Sequence, residues 1–268
     1  MKKSITIDKS KCIHCGMCIK DCIVNCIEFD SEKIPKYVDG GDKMCVGCQH
    51  CMAICPAGAL SFGGKNPDDS DPVGYGNSDD LLRLIKSRRS VRFYKNQDVP
   101  QEKIAKLTEM LAYSPTGGNV DTLHFSIVGT AEKMREIIKL TYEKVCESDS
   151  NSTVFKFARD GYSKGKDIVY RGAPSMVVVS VDKSKAIAGC ENADPIIALS
   201  YLDLYAQSLG LGTLWCDAAL TIAQEIPEVR ALLEIPEGYT LNYIMLLGIP
   251  NVKYKRTVQR EPAYVKII

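Results

Sequence analysis

Cys12-Ile13-His14-Cys15-Gly16-Met17-Cys18-Ile19-Lys20-Asp21-Cys22 and Cys45-Val46-Gly47-Cys48-Gln49-His50-Cys51-Met52-Ala53-Ile54-Cys55-Pro56 share one spacing: two residues between the first, second and third cysteines, then three residues before the fourth. These runs take eight of the 12 cysteines in the chain. In a secreted chain such a count points to disulfides, and in a reducing compartment it points to metal. The chain starts Met1-Lys2-Lys3, but Asp8 and Lys9 interrupt before an apolar signal-peptide core could form. The longest apolar stretch, Ile196 to Leu211, is broken by Asp203, and a membrane helix needs about 20 apolar residues. The expectation is a cytoplasmic protein that ligates metal through these cysteines.

The spacing is similar to that of bacterial two-cluster ferredoxins and implies two 4Fe-4S clusters. Three thiolates two residues apart can wrap a cubane corner by corner, while the fourth is carried away to the other cluster. By that pattern Cys12, Cys15, Cys18 and Cys55 hold one cluster, and Cys45, Cys48, Cys51 and Cys22 hold the second. Zinc also takes four thiolates, but usually as two separated Cys-x2-Cys pairs. His14 and His50 are expected to be exposed spacers or donors to the ligands, since each cluster corner already has its cysteine. Two departures fall at the second cluster: Ile23 follows Cys22 where Pro56 follows Cys55, and Cys26 stands where such domains place a small residue. Cys26, Cys146, Cys190 and Cys216 have no ligand spacing and are expected to be buried free thiols.

Outward from this domain, 1–63, lies a turn-rich acidic stretch, 64–78, read as a linker. Residues 79–268 then form the larger domain, in a chain long enough for a sizeable core. Ser78 is expected to cap a helix with Asp79 and Asp80 in its first turn and Leu81, Leu82 and Ile85 on one face. A second helix opens at Pro100 with Ile104, Leu107 and Leu111, and a third opens at Asp194-Pro195 and stops at Gly210 as its C-cap. Between them Phe125–Val128, Met176–Val181, Leu211–Trp215 and Tyr243–Ile249 are continuously apolar, which indicates strands covered on both faces. With a net charge of +1 there is no electrostatic case for nucleic acid or an anionic membrane surface. No Gly-x-Gly-x-x-Gly follows a strand and no phosphate-binding Gly-x4-Gly-Lys-Ser/Thr loop occurs.

Ser87-Arg88-Arg89-Ser90-Val91-Arg92-Phe93-Tyr94 gathers three guanidiniums and a hydroxyl at a helix end. Arginine offers bidentate, charge-assisted bonds to phosphate, although helix C-termini attract cations in any case. Together with Ser114-Pro115-Thr116-Gly117-Gly118-Asn119 and the Gly-Leu-Gly-Thr-Leu-Trp turn at 210–215, this motif resembles the nitroreductase family of FMN-dependent oxidoreductases, over residues 79 to about 262. The resemblance implies an α+β chain: a three-layer α/β/α nitroreductase-like sandwich behind a small ferredoxin-like α+β domain. It further implies that Arg88, Arg89, Ser90 and Arg92 hold the FMN phosphate and ribityl chain, with Arg256 closing on the same phosphate. Pro115, Thr116, Gly117 and Asn119 would approach the flavin from the partner of a homodimer. Trp215, Cys216, Asp217 and Ala218 would line the isoalloxazine edge, although plain core packing also explains Trp215 and Cys216. Asp121-Thr122-Leu123 replaces the family's frequent Gln-Pro-Trp, and Asp217-Ala218 its Gly-Gly or Glu-Gly, so the pocket is read as open to acceptors other than a typical nitroaromatic.

A cubane passes single electrons at low potential, on the order of −400 mV, and a flavin delivers a hydride. The expected activity is therefore reduction of a nitro compound, quinone or similar small molecule, with electrons entering from an external ferredoxin-like donor. An ene-reductase, a reductive dehalogenase, or an electron-transfer module serving a protein partner are the other readings. No acid–base residue is assigned as catalytic.

Overall fold

A computed structural model of the chain describes residues 3–268, which divide into two compact units. The smaller comprises the chain up to Tyr75 together with Gly118–Val120, and the larger comprises Gly76–Gly117 and Asp121–Ile268.

The smaller unit is an internal repeat. In chain order it holds β1 (Ile5–Ile7), α1 (Met17–Lys20), β2 (Ile27–Phe29), β3 (Pro35–Tyr37), α2 (Gly41–Met44), α3 (His50–Ala53) and β4 (Leu60–Phe62). β1 pairs antiparallel with β4, and β2 with β3. A shift of about 33 residues maps the first cysteine run, α1 and β2 onto the second run, α3 and β4. The repeat extends to the backbone, because left-handed φ recurs at matched positions: His14 (56°) and Gly47 (71°), Gly16 (71°) and Gln49 (62°), Asn25 (50°) and Gly58 (57°). For a side-chain-bearing residue that conformation costs about 1–2 kcal/mol. At His14 the ring Nδ1 stands 2.9 Å from the Lys33 carbonyl, which fixes the turn. Cysteine itself is core here: Cys18, Cys26, Cys45 and Cys51 pack with Ile27, Met52, Leu60 and Phe62.

The larger unit runs α4 (Ser78–Ser87), α5 (Gln101–Leu111), β5 (Leu123–Val128), α6 (Ala131–Glu147), α7 (Thr153–Ser163), β6 (Ser175–Val181), α8 (Cys190–Ser208), β7 (Gly212–Trp215), α9 (Asp217–Glu225), α10 (Pro227–Ala231) and β8 (Thr240–Gly248). Its four strands form one antiparallel sheet in the order β5-β6-β8-β7. Strand alternation sends neighbouring residues to opposite faces. Met176 and Val178 of β6 join Ile244 and Leu246 of β8 under α6, α7 and α9, in one core with Ile137, Phe155 and Ile222. Val177 and Val179 join Met245 and Leu247 under α5 and α8, in a second core with Leu107, Leu199 and Leu202. Both faces are apolar because both are covered, giving the expected three layers.

Some boundaries differ from expectation. Asn77, not Ser78, caps α4, its side-chain oxygen accepting from the N–H groups of Asp79 and Asp80. Leu81, Leu82 and Ile85 share the expected face, but each is about half exposed. α8 begins at Cys190, four residues before the expected start, and contains Pro195. As the sixth residue of the helix it cannot bond the Glu191 carbonyl, which instead accepts from Asn242 Nδ2 at 3.3 Å. Gly210 follows α8 with φ 74°, as a C-cap glycine does. Of the four non-ligand cysteines, Cys26 and Cys216 are buried as expected, whereas Cys190 is half-buried and Cys146 lies exposed on α6.

Gly212 lets the Ser90–Val91 segment lie against β7, where Ser90 pairs with Thr213 and the Val91 N–H donates to the Thr213 carbonyl at 2.9 Å. A Cβ on Gly212 would stand 2.6 Å from Val91 Cγ2 and 2.9 Å from Pro250 Cγ. Gly212→Ala should therefore lower stability by about 1–3 kcal/mol in denaturant unfolding. Unchanged unfolding would show that the close approach carries no constraint.

Candidate cofactor-binding sites

The smaller unit encloses two cavities, and the crossover of the fourth cysteines is visible in them. One is lined by Cys12, Cys15, Cys18 and Cys55, the other by Cys22, Cys45, Cys48 and Cys51. The two cavities are alike in size and in their four cysteines, so the same kind of group fits both. Among the described residues no three of His, Cys, Asp and Glu close on a single-ion site. The sulfurs stand round a space instead, as thiolates do when they ligate the corners of a cluster.

The matched left-handed residues are what turn the backbone around each cavity. Alternation of right- and left-handed residues curls successive N–H groups into a concavity that favours an anionic group. Gly47 N–H donates to Cys45 Sγ at 3.4 Å and Ala59 N–H to Cys55 Sγ at 3.3 Å, one such bond per cavity. Burial raises the Cys18 thiol and pushes the Cys51 thiol up to about 12. Without a cation these groups stay protonated, and bound iron would hold them as thiolates. His14 and His50 are the expected spacers: both are exposed, and the His50 ring Nδ1 stands 3.4 Å from Asp21 Oδ2.

In the larger unit the buried carboxylate of Asp203, on α8, organises the residues singled out around 88 and 215. It is 4% exposed, and an ionised group so placed needs partners. Thr213 Oγ1 donates to its Oδ1 in a very short hydrogen bond, Trp215 Nε1 donates to its Oδ2 at 3.1 Å, and Arg88 Nη1 lies 3.5 Å from the same Oδ2. Trp215 in turn packs edge-on against Tyr243, ring centroids 5.0 Å apart. The Tyr243 hydroxyl donates to Asp217 Oδ1, again very short. Burial, then the bond to Asp217, hold the Tyr243 phenol well above its ordinary range, so it remains a donor. A continuous line thus runs Arg88, Asp203, Trp215, Tyr243, Asp217. Asp203 and Tyr243 were not singled out by sequence. A lone Asp within the apolar stretch of α8 was the available signal.

Thr213 also lines a cavity of about 460 Å³, whose walls carry Arg83, Arg89, Lys253, Lys255 and Arg256. No carboxylate is among its lining residues. Five cations around one space, with Arg89 set 5.9 Å over the Tyr254 ring, suit a phosphate. Of the residues expected at phosphate, Arg89 and Arg256 meet here. Arg88 is turned to Asp203, and Arg92 is exposed with its Nη1 3.4 Å from the Ser90 carbonyl. Cys216 points into the core, its Sγ donating to the Val169 carbonyl at 3.4 Å, and burial pushes its thiol up to about 11. Its neighbour Asp217 opens α9, with Ala218 next in that helix. Pro115 and Thr116 lie in the loop after α5, and the Gly117 N–H donates to the buried Asp194 Oδ2 at 3.0 Å. Asn119 is grouped with the smaller unit.

Comparison with known proteins follows the same division. Residues 85–249 match the model of the Nitroreductase family, and residues 5–62 match the 4Fe-4S dicluster domain. A Methanothermobacter thermautotrophicus protein, provisionally named NADH dehydrogenase/NAD(P)H nitroreductase, is 28% identical over 172 residues, 64% of this chain and 78% of that one. A Bacteroides fragilis nitroreductase crystallised with bound FMN superposes with a TM-score of 0.58 at 26% identity, covering 72% of this chain and 100% of that one. A Desulfitobacterium hafniense nitroreductase, also with bound FMN, gives 0.56 at 25% identity over the same shares. No described helix is long and apolar enough to cross a membrane.

Two substitutions test these sites. Cys55→Ala should destroy the cluster of Cys12, Cys15 and Cys18 and spare the other in EPR spectra; the opposite loss would refute the crossover. Asp203→Ala strands the Thr213 hydroxyl and the Trp215 N–H, so it should cost about 1–3 kcal/mol and move the fluorescence of the single tryptophan to longer wavelength. Unaltered emission would show that the carboxylate does not hold Trp215.

Proposed function

The chain belongs to the nitroreductase family, and on that premise we propose that it is an FMN- and 4Fe-4S-dependent reductase that passes electrons from its two clusters to FMN and on to a small electron-poor acceptor, a nitro compound, quinone or similar molecule. The observation that carries this reading is the pair of four-cysteine cavities in the same chain as a family domain with a basic cavity. When bound, each cluster exchanges one electron at low potential and FMN exchanges a hydride equivalent.

The chain's own residues have separable tasks. Arg89 and Arg256, with the lysines at 253 and 255, supply charge-assisted donors for the FMN phosphate. Arg88, Ser90 and Arg92 lie beside them in sequence; Asp203 keeps the Arg88 guanidinium and the Trp215 ring in place. Trp215, Asp217 and Ala218 are assigned to the isoalloxazine edge, where the start of α9 presents backbone N–H groups, with Cys216 contributing backbone alone. Pro115, Thr116, Gly117 and Asn119 are assigned to the flavin of a second copy. A homodimer is supported by the apolar surface that one copy leaves exposed, including Leu81, Leu82 and Ile85 on α4 and Tyr201 on α8. The clusters suit a one-electron donor such as a reduced ferredoxin.

Purified anaerobically, the full chain should carry about eight iron, eight sulfide and one FMN, and should reduce nitroaromatics and quinones with dithionite as reductant. Charge-assisted bonds are worth about 1.5–3 kcal/mol each, so Arg89→Ala should weaken FMN binding about tenfold or more. Retention of FMN by that variant through dialysis would exclude the basic cavity as the phosphate site. A loaded chain inert toward every nitro compound and quinone would overturn the substrate class.

A further inference from the structure

The two cluster cavities match in ligand pattern but not in their surroundings. Around Cys12, Cys15, Cys18 and Cys55 the walls are apolar side chains such as Ile7, Pro35, Ala59 and Leu60, together with His14, whose ring is engaged by the Lys33 carbonyl. Around Cys22, Cys45, Cys48 and Cys51 the walls are also largely apolar, with Ile23, Ile27 and Phe62, but beyond Gln49 and His50 of the second cysteine run they add two groups without counterparts in the first cavity, Cys26 and Tyr37. Cys26 is 1% exposed and its Sγ lies 3.4 Å from Cys22 Sγ. Its counterpart in the repeat is Ala59, a methyl group in place of a thiol. The Tyr37 hydroxyl is buried and has no hydrogen-bond partner in the chain, and Tyr37 lines the same cavity as Cys45. A buried hydroxyl left without a partner is costly, and a cluster-bound thiolate at Cys45 would satisfy it. With Cys22 likewise a thiolate, Cys26 is the donor of its pair.

Reduction adds negative charge to a cluster and its sulfurs. Donors to those sulfurs stabilise that charge, and burial opposes it. The backbone donors Gly47 and Ala59 serve one cavity each and do not separate the two. The second cavity is the more enclosed, with Cys45 and Cys51 both buried, against Cys18 alone in the first. Burial therefore presses its potential down, and the two extra donors work against that.

Resting on the two-cluster reading, we infer that Cys26 and Tyr37 are positioning residues that raise the reduction potential of the cluster held by Cys22, Cys45, Cys48 and Cys51, leaving the other cluster untouched. The test is an anaerobic EPR redox titration of the full chain, of Cys26→Ala, of Tyr37→Phe and of the double variant. The Cys55→Ala chain identifies which of the two waves belongs to the second cluster. Each single variant should move that wave to more negative potential, and the double variant should change its reduction equilibrium about tenfold, about 59 mV for a one-electron couple. Cys26→Ser, which keeps a donor, should restore most of the shift. If Cys26→Ala fails to assemble the cluster, Tyr37→Phe and Cys26→Ser decide by the same criterion. Unmoved potentials, or movement of the first cluster's wave, overturn the inference alone. A wild-type chain without paired cubane signals overturns the two-cluster reading and this inference with it.

Discussion

The exchange of the fourth cysteine between the two halves of the repeat is the constraint on which the small unit depends. Cys22 follows α1 but completes the cavity of Cys45, Cys48 and Cys51, and Cys55 follows α3 but completes that of Cys12, Cys15 and Cys18. Neither half can close a site alone, so ligation and pairing of the halves are one event. The strands here are only three residues long, and so short a sheet with so few apolar side chains cannot stabilise itself. Metal binding supplies that stability in small domains of this kind, because the assembled ligand set exists only in the folded chain. The same arrangement keeps both clusters within one compact body, which is what passing single electrons onward requires.

In the larger unit the governing fact is that both faces of the sheet are covered. Apolar residues fill the interior on each side, and Asp203 is a carboxylate set among them. Its three donors come from the end of α4 and from β7. It thereby ties the arginine-rich segment to the strand that carries Trp215, and through Tyr243 to the start of α9. Cys216 shows how one turn divides its labour: Trp215 and Asp217 join the polar line while the thiol between them is spent on the core.

Much of this was legible in the sequence. The eight cysteines that line the two cavities were legible through the resemblance of their spacing to that of two-cluster ferredoxins. The four strands of the large sheet were readable because cover on both faces leaves short, mostly apolar runs, broken only by small residues such as Ser126, Ser180 and Thr213. Strand order was not, since it is set by packing between distant segments. α6, α7, α9 and α10 were missed amid mixed polar residues, although Thr130 and Ser152 cap the first two. Asn77 took the cap that Ser78 was expected to form, because two adjacent residues of suitable chemistry differ only in backbone placement. The Asp203 and Tyr243 contacts join residues 10 to 115 positions apart, a pairing no local pattern displays.

The proposed activity depends on electrons reaching the flavin through the clusters. Its most direct measurement mixes a reduced one-electron donor, a low-potential ferredoxin, with the oxidised full chain under strict anaerobiosis and follows the loss of flavin absorbance. The comparison is a chain in which cysteine-to-alanine changes have removed both clusters. Fast bleaching by ferredoxin only when the clusters are present, with dithionite bleaching both chains, is the predicted result. Bleaching of the cluster-free chain by NADH or NADPH as fast as the full chain is bleached by any donor would contradict it.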